Sequence, residues 1–155
     1  MASKQLLIIA TDPSPNTRRL RQTAAEAAND PIFDDVSALL KTPLETTATD
    51  VLNSQAVMIG TTENLGYMAG LTKDLFDRCF YDWDGKTDGL PVALYIRAGS
   101  DGTGTRRALE SMFTGLNWRL VQPPLTLQGD WHDAFLDAVA ELAQTMAAGL
   151  DTGIY

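Results

Sequence analysis

The chain has 155 residues, a formal net charge of −8 and 45% hydrophobic residues. This length predicts one domain spanning residues 1–155, with enough apolar side chains for a sizeable core. The acidic balance disfavours nucleic-acid binding, because neutralising phosphates requires a basic surface. A single cysteine excludes an internal disulfide, and with only one histidine it also excludes an ordinary zinc site, so we expect no metal centre.

Two features that the sequence lacks bear on the cellular location of the protein. No apolar run reaches the 18 residues that a membrane span needs, so we expect no membrane span. The first residues lack the layout of a secretory signal, and one lone cysteine fits a reducing compartment. Together these features predict a cytoplasmic protein.

The first half of the chain alternates apolar runs with helical patterns. Residues 5–10 form an aliphatic run typical of a strand buried on both faces of a parallel sheet. Residues 17–28 have helical spacing, and the next proline ends that helix. Residues 32–36 predict a weaker strand at the sheet edge, and residues 46–53 a short helix.

The second half continues the alternation. Strands are predicted at residues 56–60 and 91–96, each followed by a loop and then a helix, at 67–80 and 105–115 respectively. A further strand begins within residues 118–121, is broken by two prolines and resumes at 125–127. The last helix ends near residue 149, with Asp130 as its expected N-cap.

This order predicts an α/β fold with a five-stranded parallel sheet between two layers of helices, a three-layer sandwich. Two arrangements of such strands are open: the order 2-1-3-4-5 and half of a Rossmann fold. A dinucleotide site would need a G-x-G-x-x-G motif after the first strand. The first loop contains no glycine, which favours the order 2-1-3-4-5.

Three loops carry the functional signal: residues 11–17, 60–67 and 98–104. Each follows a predicted buried strand and leads into a helix. In an open α/β sheet such loops gather along one edge, where ligands bind. The three loops together therefore predict a ligand site.

The first loop has the composition of a phosphate cradle. Ser14, Asn16 and Thr17 carry side-chain donors, and the start of the following helix offers free N–H groups and partial positive charge. Pro13 and Pro15 stiffen the loop and donate nothing. The alternative is a helix cap in a proline-rich turn with no ligand, and the loop composition alone does not separate the two.

The second and third loops could border a flat ring. Gly66 permits an unusual backbone angle or a close approach, and Tyr67 could stack on a ring or simply start the helix. Glu63 could accept from a ring N–H, although an exposed loop carboxylate is the commoner role. The glycines of residues 99–104 allow the backbone to approach a flat ligand, and Arg106 with Arg107 could meet a nicotinamide-cofactor phosphate.

These motifs resemble those of flavodoxin-like FMN-binding proteins. Ser14-Pro15-Asn16-Thr17 resembles their phosphate loop, although Pro15 replaces the glycine of flavodoxins proper. Residues 60–70 resemble the loop that this family uses beside the isoalloxazine ring, with Thr62 where proline is common. Residues 98–104 resemble its third flavin-contacting loop. The departure at Pro15 points to the group of flavodoxin-fold NAD(P)H-dependent FMN reductases and quinone reductases.

The resemblance implies a flavodoxin-like fold and FMN as cofactor. It implies an oxidoreductase that passes electrons from NAD(P)H through FMN to a quinone, flavin or similar acceptor, with no side chain needed as acid or base. The implied FMN-binding residues are Ser14, Pro15, Asn16, Thr17, Thr61, Thr62, Glu63, Asn64, Leu65, Gly66, Tyr67, Ala98, Gly99, Ser100, Asp101, Gly102 and Gly104.

Two other functions stay open at this point. One is a flavodoxin-like carrier that docks on a basic redox protein through its acidic surface. The other is a flavin-free interaction module, which Pro15 and Thr62 keep open. Members of the group often pair as dimers, so a homodimer is a further expectation by analogy.

Three residues receive structural interpretations. His132 lies far in sequence from all three loops, and we expect a surface or capping role. Cys79 lies on the apolar face of its helix and is expected in the core. Trp83, in the acidic turn of residues 82–89, is expected to be an exposed loop aromatic or to cover a site or a dimer contact.

Overall fold

A computed structural model describes residues 3–155 of the chain. Its strands are β1 Lys4–Ala10, β2 Val36–Lys41, β3 Ala56–Asn64, β4 Tyr67–Met68, β5 Pro91–Ala98, β6 Arg119–Leu120 and β7 Leu125–Gln128. Its helices are α1 Pro15–Ala28, α2 Ala48–Leu52, α3 Gly70–Trp83, α4 Thr103–Gly115 and α5 Ala134–Asp151.

The sheet has the predicted strand order. The sequence of neighbours is β2-β1-β3-β5, and both β6 and β7 pair in parallel with β5. These two short strands together take the fifth place, and Pro123 and Pro124 lie between them because a proline cannot donate to the ladder. The order 2-1-3-4-5 is therefore confirmed, with an interrupted fifth strand.

Two apolar cores flank the sheet, because successive residues of a strand point to opposite faces. On one face α1 and α5 cover a core that includes Leu6, Ile8, Met58, Leu20, Val139 and Met146. On the other face α3 and α4 cover a core that includes Leu7, Ile9, Ile59, Leu94, Leu75, Phe76, Leu109 and Phe113. The predicted three-layer sandwich is confirmed.

A glycine in the central strand makes room for a tyrosine. Ala10, Gly60 and Tyr95 lie side by side on β1, β3 and β5. The Tyr95 ring crosses over Gly60, so that a Cβ placed on Gly60 would overlap the ring. Burial raises the pKa of the Tyr95 hydroxyl far above its usual range. Gly60 is therefore a packing requirement of the sheet.

Several boundaries differ from the sequence-based expectation. Residues 32–36 are not the second strand, because Asp30 accepts the Ile32 N–H and holds this segment in a turn. The strand begins at Val36 instead. The last helix starts at Ala134 with Asp133 at the N-cap position, so the expected cap at Asp130 is wrong.

Trp83 and Cys79, which were interpreted from the sequence above, both lie in the core. Trp83 is fully buried at the end of α3, and its Nε1 donates to the Ala48 carbonyl at 3.1 Å. Its expected place in an exposed loop is wrong, since the helix runs three residues further than predicted. Cys79 is buried on the same helix as expected, and burial raises the pKa of its thiol.

Replacing Gly60 tests the packing of the central strand. Gly60→Ala should lower the free energy of unfolding by about 1–3 kcal/mol, because the added methyl group overlaps the Tyr95 ring. Combining it with Tyr95→Leu should give a cost well below the sum of the two single variants, measured by urea denaturation. The control is Gly115→Ala, whose Cβ would meet the Phe80 ring at an ordinary 3.6 Å. Additive costs would contradict the proposed contact.

Candidate functional site

The first loop closes on itself in a capping box. The Ser14 N–H donates to Thr17 Oγ1 at 2.9 Å, and the Thr17 N–H donates to Ser14 Oγ at 3.2 Å. Pro15 begins α1, where its missing N–H costs nothing. Within residues 3–155, the backbone N–H and side-chain amide of the half-buried Asn16 have no hydrogen-bond partner. Asn16 is thus the donor that this helix terminus leaves free.

A buried arginine lies behind the first loop. Arg21 Nη1 lies 3.7 Å from Asp12 Oδ2, and the Arg21 side chain is largely buried. Its Nε has no partner among the described residues. The positive charge of Arg21 offsets the negative charge that Asp12 places beside the loop.

The second loop is a β-hairpin and not an irregular loop. Strand β3 continues through Asn64, and β4 returns antiparallel, with Glu63 opposite Met68 and Asn64 opposite Tyr67. Leu65 and Gly66 form the turn, and both have positive φ (52° and 77°) as a tight hairpin turn requires. The expected continuous helix from residue 67 is wrong for the same reason: α3 begins at Gly70.

The hairpin presents its residues to different surroundings. Thr61 is buried, accepts the Ala69 N–H at 3.2 Å and pairs with Thr72, so it fixes the start of α3. Thr62 Oγ1 donates to Asn64 Oδ1 at 2.8 Å on one face of the hairpin. Leu65 at the tip is fully exposed. A solvent-exposed leucine in the left-handed region is uncommon and is a sign of a functional or folding constraint.

The third loop is held by the hairpin. The Ser100 N–H donates to Glu63 Oε1 and the Gly102 N–H to Glu63 Oε2, both at 2.9 Å. Glu63 therefore accepts hydrogen bonds from inside the protein. The sequence favours an exposed loop carboxylate at this position instead. The Thr103 N–H donates to Asp101 and lowers the pKa of the Asp101 carboxyl.

The hairpin and the third loop also touch through their backbones. A Cβ on Gly104 would overlap the Gly66 carbonyl oxygen, so this close approach requires glycine at position 104. Gly102 has φ 67° and caps α4. The second and third loops thus form one packed unit, and no open slot separates Gly66 from Gly104.

An open cleft lies on the other side of the hairpin. Its volume is about 220 Å³, and it is bounded by the first loop, the end of β2, the hairpin and the start of α3. The lining residues are Thr11, Asp12, Pro13, Thr42, Pro43, Thr62, Asn64, Ala69, Gly70 and Leu71. Proline, alanine and leucine supply apolar walls, and threonine and asparagine supply a few polar atoms, which is the usual composition of a small-molecule site.

The predicted site residues divide into five groups. Thr62 and Asn64 line the cleft, while Ser14, Pro15, Asn16 and Thr17 form the adjoining helix start. Glu63 and Gly66 join Ser100, Gly102 and Gly104. Thr61 and Ala98 are buried beneath the edge. Leu65, Tyr67, Gly99 and Asp101 are exposed around it.

A fourth segment, missed by the sequence interpretation, meets the same edge. The Arg19 guanidinium lies 5.5 Å and that of Arg97 5.9 Å from the centre of the Trp131 ring. Arg19 also pairs with Asp133 at 3.5 Å. Residues 129–133 follow β7, a parallel neighbour of β5, so their chain direction returns them to the carboxyl edge. The exposed His132 is therefore near this edge despite its distance in sequence.

Two negative findings apply to residues 3–155. No helix in this range combines the length and apolarity of a transmembrane segment. No group of three or more histidine, cysteine, aspartate or glutamate side chains in the same range is arranged to hold a metal ion.

Comparison with known proteins places this fold. No protein-family model matches the sequence. A flavodoxin from Aquifex aeolicus is 28% identical over 112 residues, which are 72% of this chain and 60% of that protein. The chain thus spans less than two thirds of that relative's length.

Solved structures give broader matches. A flavodoxin from the domain Archaea has a TM-score of 0.79 at 12% identity, over 93% of this chain and 96% of that one. The rubredoxin oxygen:oxidoreductase of Desulfovibrio gigas has a TM-score of 0.78 at 12% identity, over 99% of this chain and 38% of that one. The chain has the flavodoxin-like fold, as its sequence predicts.

Removing the Ser14 hydroxyl tests the capping box. Ser14→Ala should lower the free energy of unfolding by about 0.5–2 kcal/mol, because the Thr17 N–H loses its acceptor. Urea denaturation measures the change, and Ser111→Ala on the exposed face of α4 is the control. An unchanged stability would mean that the hydroxyl does not cap α1 in solution, and that Ser14 is free for a ligand.

Proposed function

We propose that this protein binds FMN at the carboxyl edge of its sheet and acts as an electron-transfer flavoprotein. The observation that carries the proposal is the cleft between the first loop and the hairpin, with the start of α1 beside it. The sequence similarity to a flavodoxin supports it. Ligands of open α/β sheets bind at this edge.

The donor set at the start of α1 fits a terminal phosphate. Asn16 offers a backbone N–H and a side-chain amide that have no partner among the described residues, at the positive end of a 14-residue helix. The hydroxyls of Ser14 and Thr17, now bonded to each other at 3.0 Å, can turn towards an anion. The exposed Arg18 lies one turn along and adds positive charge.

The cleft fits part of a flavin ring. Pro13, Pro43 and Leu71 give apolar walls for the ring faces, and Thr62 with Asn64 can pair with polar ring atoms. The cleft of about 220 Å³ is smaller than the roughly 300–1,000 Å³ of a typical ligand pocket. It therefore takes one portion of the mononucleotide, and the rest lies along the open edge.

In this proposal FMN supplies the redox chemistry, and the protein supplies binding, orientation and electrostatics. Asn16 binds the phosphate, Thr62 and Asn64 orient the ring, and the apolar walls exclude water. The net charge of −8 opposes further negative charge at the edge, which favours a low reduction potential.

The finer proposal is an NAD(P)H-dependent reductase that passes electrons to a quinone, flavin or similar acceptor. Its support is the pair Arg106 and Arg107, which lie in the first two turns of α4 after the third loop and suit the phosphate of a nicotinamide cofactor. The carrier alternative is supported by the acidic charge, which suits a basic redox partner, and by the exposed Leu65 beside the site. The same proposal includes a homodimer in which the second copy helps to cover the flavin.

Titration with FMN and riboflavin tests the binding proposal. FMN should bind and quench its fluorescence, and riboflavin, which lacks the phosphate, should bind at least roughly tenfold more weakly. Asn16→Ala should weaken FMN binding by about 3- to 10-fold and leave riboflavin binding unchanged. Arg119→Gln, at the opposite edge of the sheet, is the matched control. Absent FMN binding, or equal affinities for the two flavins, would overturn the assignment.

Turnover separates the reductase from the carrier. The FMN-loaded protein should oxidise NADH or NADPH when a soluble quinone is present, and Arg106→Gln with Arg107→Gln should raise the KM for the nicotinamide cofactor. A loaded protein that accepts electrons from a reduced redox protein and oxidises neither nicotinamide cofactor would be a carrier.

A further inference from the structure

One carboxylate joins two of the three loops at the proposed flavin edge. Glu63 lies near the end of β3, and both of its oxygens accept backbone N–H groups of the third loop, from Ser100 and Gly102, at 2.9 Å each. The two donors are separated from Glu63 by 37 and 39 residues in sequence. Charge-assisted hydrogen bonds of this length are about twice as strong as neutral ones.

The surroundings of Glu63 make the arrangement specific. Gly102 adopts φ 67° and is the N-cap of α4, and both donors to Glu63 lie within the three residues before this helix. The positive end of a helix stabilises a nearby carboxylate. The close approach of Gly66 to Gly104 holds the same two segments together a few residues away. Two acceptor atoms on one rigid group are needed to match two converging donors.

The two faces of the hairpin consequently make different contacts. Thr62 and Asn64 line the cleft, while Glu63, between them in sequence, contacts the third loop. Alternate residues of a strand point to opposite sides. The strand that borders the cleft is therefore also hydrogen-bonded to Ser100 and Gly102 through the Glu63 side chain.

From these contacts we infer that Glu63 is a positioning residue: it clamps the third loop to the hairpin and so sets the shape of the flavin edge. The inference rests on the proposed FMN binding for its functional part only. It also means that the Ser100 and Gly102 N–H groups donate to Glu63 and not to a ligand. The third loop then meets a flavin through Gly99, which is exposed and has open space around it.

Amide exchange in the flavin-free protein tests the clamp directly. Solvent exchange of the Ser100 and Gly102 amides, measured by NMR, should be about 10- to 100-fold faster in Glu63→Gln, because an amide side chain offers only one acceptor. Glu63→Asp should give a similar increase, since the shorter side chain cannot reach both donors. Glu110→Gln on α4 removes the same charge and should leave both amides unchanged. Equal exchange in the wild type and both Glu63 variants would overturn the clamp.

FMN titration of the same variants tests the positioning role. Glu63→Gln and Glu63→Asp should weaken FMN binding by about tenfold or more, with both variants folded by circular dichroism. Glu63→Asp keeps the charge, so equal losses in the two variants assign the effect to geometry. Faster amide exchange with unchanged FMN affinity would overturn the positioning role. If the wild type binds no FMN while the amides respond as expected, the clamp stands and the proposed function fails.

Discussion

The parallel register of three central strands is the constraint on which the rest of the structure depends. It places Ala10, Gly60 and Tyr95 side by side, so that β1, β3 and β5 reach the same edge within a few residues of one another. Every loop that carries a candidate ligand contact leaves the sheet there. In this register position 60 lacks a side chain, and the Tyr95 ring fills the space above it. The packing inside the sheet is therefore linked to the geometry of the loops at its edge.

The hairpin of β3 and β4 converts that edge into an asymmetric site. On one side it borders a cleft with the first loop, and on the other it is fastened to the third loop by Glu63 and by the contact between Gly66 and Gly104. The two functions of the hairpin use alternate side chains of one strand. The first loop contributes a capped helix terminus in which Asn16 keeps unused donors. A mononucleotide proposal accordingly centres on the first loop and the hairpin, with the third loop as a support.

Sequence reasoning found the buried strands and their order because aliphatic runs and alternating helices leave a strong periodic signal. It missed the hairpin, since its turn residues, Leu65 and Gly66, are not the asparagine–glycine type that marks such turns. The partners of Glu63 could not be predicted, because they are backbone groups almost 40 residues away in sequence. Distance in sequence predicts only a surface or capping role for His132, although the chain direction of β7 returns residues 129–133 to the functional edge. The local pattern of residues predicts helices and strands, whereas these contacts depend on how the helices and strands pack together.

The most direct test of the account is a map of backbone amide shifts on adding FMN to the isotope-labelled protein. The account predicts shifts confined to residues 11–17, 60–71 and 98–104, with the largest at Asn16 and in the hairpin. Residues 86–91 and Arg119, which line a separate depression at the opposite edge, should not respond. Shifts centred on that depression, or no shifts at all at saturating FMN, would contradict the claim that the carboxyl edge is a mononucleotide site.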